Sequence, residues 1–199
     1  AFAATALTSI DKIMIERYLD MSQLALYSIG VTIGGTLLIL IRGFYLAIEP
    51  IIFKNFANKN FTEIILNYKK NFILVITVIG SAIIIFSHEI LVIFVSPNYF
   101  DAIIIIPFIV ISCIFRGAEI VVNTTLYAIE KTFYHPLITS AGLIINIIGN
   151  IILLPIIGIK GAAIMSAISF WFLYQLTVFI TKKYIEINWM SFQITILIL

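Results

Sequence analysis

Residues 103–130 combine an apolar composition with evenly spaced polar side chains, and this strongly limits how the chain can fold. The segment is mostly Ile, Val, Phe and Ala, and it exceeds the roughly 20 residues with which a helix crosses a bilayer. Its polar positions lie three or four residues apart, which is the spacing of one helix face. They are Ser112, Arg116, Glu119, Asn123, Tyr127 and Glu130, named the polar stripe below. The segment therefore predicts a membrane helix with one polar face.

The polar stripe places charges where lipid cannot solvate them. A charged side chain near the bilayer centre costs about 2.5–3.5 kcal/mol on insertion scales, so we expect the stripe to face protein or a water-filled cavity. Arg116 and Glu119 are three residues apart and could instead simply neutralise each other. Two further charges on another apolar segment, Arg42 and Glu49, favour a shared polar cavity.

The composition assigns the whole chain to the membrane class. It is 62% hydrophobic and only 11% charged, whereas soluble domains average about 25% charged residues. Its mean hydropathy is +1.15. Because the apolar segments are long rather than alternating, we expect an all-α, polytopic helical bundle. The single Cys113 excludes a disulfide within the chain.

The order of apolar and polar segments predicts one transmembrane bundle over residues 1–181. The predicted spans are residues 1–15 (partial), 24–50, 72–95, 103–130, 137–157 and 161–181. We expect an amphipathic segment at 53–71 to lie on the cytoplasmic surface, and a cytoplasmic loop and the start of a further span at 182–199. Pro50 is expected to end or kink its span, and Pro155 to close another. The chain thus resembles a piece of a longer protein.

Lysine distribution predicts the orientation. Residues 53–71, 131–136 and 182–189 hold seven lysines: Lys54, Lys59, Lys69, Lys70, Lys131, Lys182 and Lys183. The alternate loops hold only Arg17 and Lys160. Because lysines and arginines concentrate in cytoplasmic loops, the lysine-rich set is expected on the cytoplasmic side.

Two short patterns resemble a transporter family. Thr-Ser-Ile-Asp-Lys-Ile-Met-Ile at residues 8–15, followed by Ala-Leu-Tyr-Ser-Ile-Gly at 25–30, looks like the opening of the second half of bacterial polysaccharide flippases. The turn at residues 154–163 resembles their Pro-x-x-Gly-x-x-Gly-Ala-Ala turn. These are the O-antigen (Wzx-type) transporters of the multidrug/oligosaccharidyl-lipid/polysaccharide exporter superfamily.

The resemblance implies a fold, a substrate and a location. It implies the C-terminal six-helix lobe of a two-lobe flippase, whose partner is the N-terminal half of the same transporter. The implied substrate is an oligosaccharide repeat unit on undecaprenyl pyrophosphate, moved across the bacterial inner membrane for O-antigen or capsular polysaccharide synthesis. Besides that N-terminal half, this substrate and membrane lipids are the expected partners, and no nucleic acid is expected.

The chemistry of that substrate points to the cationic residues. A diphosphate needs cations where water is scarce, and the planar fork of Arg suits it best. Arg42 and Arg116 are the candidate substrate-binding residues, with Lys12 third. The charge partners expected to hold these cations, or to exchange with protons, are Glu49, Glu119 and Asp11, and Asn123 is expected to line the cavity. Asn146 and Asn150 could serve either helix packing or the cavity.

Other functions remain as alternatives. One is a multidrug or cation antiporter of the same superfamily, which should present unpaired carboxylates in its cavity. Another is a non-transporting scaffold or a membrane-bound enzyme; for a scaffold, the polar stripe would face a protein partner. The sequence contains no Ser/His/Asp grouping, no Cys/His metal spacing and no phosphate loop, so we expect no enzyme, metal or cofactor.

Overall fold

The computed structural model of the protein is built from helices, as a chain of this composition requires. It describes residues 2–56, 58 and 60–185, with side chains from residue 9 onward in these ranges. No strand occurs among them. Inside a bilayer, a helix is favoured because it satisfies every backbone hydrogen bond within its own segment.

Eight α-helices and one 3-10 helix make up the described ranges. They are α1 (Phe2–Tyr18), α2 (Met21–Gly35), α3 (Leu37–Asn55), α4 (Phe61–Ile85), α5 (Ser87–Phe94), the 3-10 helix (Pro97–Ile104), α6 (Ile106–Ala128), α7 (Tyr134–Ile157) and α8 (Ile159–Thr181). Five segments are long and apolar enough to cross a membrane, with α2 and α3 counted as one. The prediction of an all-helical, multi-pass membrane protein is therefore supported.

Helix α6, which carries most of the polar stripe, lies at the centre of the bundle. It is the most deeply buried of the five candidate spans. It packs most extensively on α8 and also contacts α2, α3 and α4. Because α6 contacts these four helices, its polar stripe and the apolar faces beside it lie against neighbouring helices.

The structure draws some boundaries differently from the sequence. The predicted span 24–50 consists of α2 and α3, which meet at Thr36, and Pro50 lies within α3 rather than ending it. Pro155 likewise lies within α7, and the turn follows at Gly158, whose φ of +60° favours glycine. Membrane helices tolerate proline because neighbouring groups can satisfy the freed backbone carbonyls.

Helix α4 crosses the expected boundary between surface segment and span. It runs without interruption from Phe61 to Ile85, so it joins the second half of the predicted amphipathic segment 53–71 to the predicted span 72–95, whose far end forms α5. Lys59 and the predicted further span beyond residue 185 lie outside the described residues.

One lysine of the cytoplasmic set, Lys69, is buried rather than exposed on the surface. Predicted to lie on the cytoplasmic surface, it is 2% exposed, and its ammonium donates a hydrogen bond of 2.9 Å to the Tyr174 hydroxyl on α8. Its nitrogen also lies 5.0 Å from the centre of that ring. A long lysine stem can pack along apolar surface while the ammonium reaches a polar partner, which the spacing of lysines in sequence does not reveal.

The orientation can be tested by cysteine labelling of the full-length protein on a cysteine-free background. Asn58 and Asn98 are both exposed and lie at opposite ends of α4 and α5. We expect a membrane-impermeant maleimide added to intact cells to label Asn98→Cys and not Asn58→Cys. Lysed cells should label at both positions. Labelling of Asn58→Cys alone in intact cells would invert the topology.

Candidate functional site

A cavity of about 540 Å³ lies between α1, α2, α3, α6 and α8. The polar and charged side chains on its wall are Asp11, Tyr27, Arg42, Ser112, Arg116 and Ser166. Leu38, Ile109, Ile120 and Phe170 supply part of its apolar wall. The volume falls within the range of about 300–1,000 Å³ that is common for small-ligand pockets.

The cavity brings together the two arginines that the sequence singled out. Arg42 on α3 is exposed, and the Arg116 side chain on α6 is 20% exposed. Arg42 and Arg116 are 74 positions apart in sequence, yet both contribute to one cavity wall. Both arginines therefore border the same cavity, on two different helices.

Arg116 is paired, but only in part. Its Nη1 lies 3.3 Å from Glu119 Oε2, and the Glu119 side chain is 3% exposed. The guanidinium carbon also lies 5.5 Å from the centre of the Phe170 ring, within the range of a cation–π contact. A guanidinium has five N–H donors, so one contact to a carboxylate leaves further donors for an anion.

Asp11 is held by neutral donors rather than by the cation that the sequence argument expected. The Tyr27 hydroxyl donates to its Oδ2 at 2.8 Å, and Asn150 Nδ2 donates to its Oδ1 at 2.6 Å. The Ser166 hydroxyl makes a short hydrogen bond to the same Oδ2. Asp11 is only 2% exposed although it forms part of the cavity wall. No described Arg or Lys forms a salt bridge with it.

The remaining candidates have different surroundings. Lys12 is partly exposed and does not line this cavity, so it does not join the arginines. Glu49 accepts a hydrogen bond of 2.6 Å from the Tyr45 hydroxyl, one turn earlier on α3, rather than from Arg42. Asn123 is buried, and its Nδ2 lies 2.7 Å from His135 Nδ1 rather than on the cavity wall.

Asn146 and Asn150 form part of a buried polar network next to Asp11. Both are 0% exposed, and Asn150 Nδ2 lies 3.1 Å from Asn146 Oδ1. Two buried polar atoms of these asparagines, Asn146 Nδ2 and Asn150 Oδ1, have no hydrogen-bond partner in the described structure. Asn150 thus donates directly to Asp11, and Asn146 contacts Asn150. The sequence showed their four-residue spacing but not the carboxylate that they approach.

Metal ligation has no support in the described part of the chain. It contains no group of three or more His, Cys, Asp or Glu side chains able to hold a metal ion.

Comparison with models of protein families, with curated proteins and with solved structures found no match.

The network around Asp11 can be tested by its effect on stability. Asp11→Leu would leave three buried donors without their acceptor, at a cost of about 1–3 kcal/mol for each donor that finds no other partner. Asp11→Asn should cost less, because side-chain amides can rotate to restore the pattern. Thermal unfolding of the purified full-length protein in detergent measures both, with the exposed Asp101→Leu as control. Equal melting temperatures for Asp11→Leu and Asp101→Leu would contradict this role.

Proposed function

We propose that the protein is a flippase lobe that binds the diphosphate of a lipid-linked oligosaccharide between Arg42 and Arg116. The observation that carries the proposal is the presence of both arginines on one cavity wall among membrane-spanning helices. A pyrophosphate needs several strong donors when it leaves bulk water, and arginine supplies them in a planar fork. The apolar remainder of the wall would exclude water and strengthen these contacts.

The proposal extends to the architecture. An exposed arginine in a span, such as Arg42, is costly against lipid, so its face would border a water-filled space or a second bundle. A second six-helix lobe facing this wall would close the cavity on its remaining side. We therefore propose that these helices are the C-terminal lobe of a two-lobe transporter of the bacterial inner membrane, and that alternate opening carries the headgroup across.

Asp11 gives a reason to retain the antiporter as a second candidate. A cation exporter needs a cavity carboxylate that is not neutralised by Arg or Lys, and the partners of Asp11 are a hydroxyl pair and an amide. A flippase could use the same carboxylate for proton exchange. Efflux of ethidium from cells separates the candidates, since only the antiporter should export it.

Arg116 offers the sharpest test of diphosphate binding. In a flippase-deficient strain that makes the cognate repeat unit, the full-length protein with Arg116→Gln and Glu119→Gln together should insert normally. Neither charge is then left buried alone. Surface polysaccharide should nevertheless fall at least tenfold. Arg116→Lys should also be impaired, because a point charge loses the bidentate grip.

The controls separate transport from folding. Arg17→Gln removes an exposed arginine at the end of α1 and should leave polysaccharide unchanged. Membrane abundance is measured for every variant by quantitative blotting. Normal polysaccharide from the double Gln variant would show that Arg116 and Glu119 form only an internal salt bridge.

A further inference from the structure

A second group of polar and aromatic side chains follows the arginines along α3 and α6, and one residue of α7 joins it. It consists of Tyr45, Glu49, Asn123, Tyr127 and His135, which we name the tyrosine–glutamate cluster. Helices α3 and α6 pack together, and both run from the arginines toward the end that the lysines mark as cytoplasmic. The cluster therefore lies between the arginines and the predicted cytoplasmic side.

The α3 members of the cluster contact each other. The Tyr45 hydroxyl donates to Glu49 Oε1 at 2.6 Å, and α3, which carries both residues, packs against α6. Asn123 and Tyr127 lie four residues apart on α6, so they share one helix face. Two phenol groups and one carboxylate are thus carried by two helices that pack together.

His135 of α7 contacts the α6 members of the cluster. His135 Nδ1 lies 2.7 Å from Asn123 Nδ2, and the His135 and Tyr127 rings are 5.7 Å apart in an edge-to-face arrangement. Asn123 is 5% exposed, and its Oδ1 has no hydrogen-bond partner in the described structure. The cluster thus retains unused hydrogen-bonding capacity at a buried atom.

Most side chains of the cluster are partly exposed at the protein surface, which a purely structural network would not need. Tyr45, Glu49, Tyr127 and His135 are all partly exposed, although they belong to candidate membrane spans. Polar side chains within spans usually face a bundle interior or a water-filled cavity rather than lipid. Glu49 follows Arg42 by seven residues and Tyr127 follows Arg116 by eleven, so both lie on the same helix faces as the arginines.

We propose that the tyrosine–glutamate cluster binds the sugar residues of the substrate whose diphosphate the arginines bind; this inference rests on the proposed function. A sugar ring presents an apolar C–H face and a rim of hydroxyl groups. Tyrosine offers an apolar ring face with a polar tip, and carboxylate and amide groups accept or donate to the hydroxyls. Glu49 would form the strongest of these contacts because its hydrogen bonds are charge-assisted.

The spacing along the helices suits a short oligosaccharide. At about 1.5 Å per residue, Glu49 lies about 10 Å along α3 from Arg42, and Tyr127 about 16 Å along α6 from Arg116. One sugar residue covers about half of the 10 Å that separates Arg42 from Glu49 along α3. Two or three sugars would therefore reach from the arginines to the cluster. A lipid carrying its glycan on the cytoplasmic side would reach both sites when the cavity opens there.

The test compares two lipids in binding to the full-length protein in nanodiscs. One probe is undecaprenyl pyrophosphate, and the other is the same lipid carrying a disaccharide of N-acetylglucosamine. The wild-type protein should bind the disaccharide lipid at least tenfold more tightly. Glu49→Gln with Tyr127→Phe should remove that difference and leave the affinity for the sugar-free lipid unchanged. Arg116→Gln with Glu119→Gln should weaken the binding of both.

A matched control variant and the other possible outcomes test sugar binding by the cluster. Glu63→Gln with Tyr68→Phe makes the same chemical changes at exposed positions of α4 and should alter neither affinity. Equal wild-type affinity for the two lipids, or unchanged preference in the Glu49/Tyr127 variant, would overturn the sugar site while leaving the diphosphate site standing. Binding of neither lipid by the wild-type protein would overturn the proposed function as well. Melting temperatures of all variants exclude misfolding as the cause.

Discussion

The cost of placing charge inside an apolar bundle is the constraint on which the rest of the structure depends. Glu119 is almost fully buried in the central helix α6, and its contact with Arg116 is the only salt bridge within the described residues. A carboxylate buried alone would destabilise the helix by several kcal/mol, so Arg116 is tied to this position. The same pairing leaves one-fifth of the Arg116 side chain exposed to the cavity. The pair thus offsets the charge buried in the helix and leaves part of Arg116 accessible.

The polar groups of the bundle differ in the kind of partner that each one meets. Asp11 is surrounded by hydroxyl and amide donors from α2, α7 and α8, so it ties these helices to α1 without a cation. The arginines instead border open volume, where donors remain available. A neutral network joins the helices around Asp11, whereas Arg42 and Arg116 line the cavity.

Sequence periodicity was sufficient for those features that are local to one helix. The spacing of Arg116 and Glu119 on α6 identified both the polar stripe and its internal pair before any tertiary information. The partners of Asp11 were not accessible in this way, since Asn150 and Ser166 lie 139 and 155 positions away. Lys69 was misplaced on the surface for the same reason, because its partner Tyr174 lies 105 positions away. Such contacts depend on how helices pack, which a single sequence does not encode in its spacing.

The central claim, that α6 borders a water-accessible cavity within the membrane, is tested most directly by thiol reactivity. Ile120 lines the cavity, whereas Ile111 is exposed on α6 without lining it. In the full-length protein on a cysteine-free background, each is replaced in turn by cysteine and exposed to a charged methanethiosulfonate, which reacts rapidly only with thiolates in water. We expect Ile120→Cys to react at least tenfold faster than Ile111→Cys. Equal rates, or faster reaction of Ile111→Cys, would contradict it.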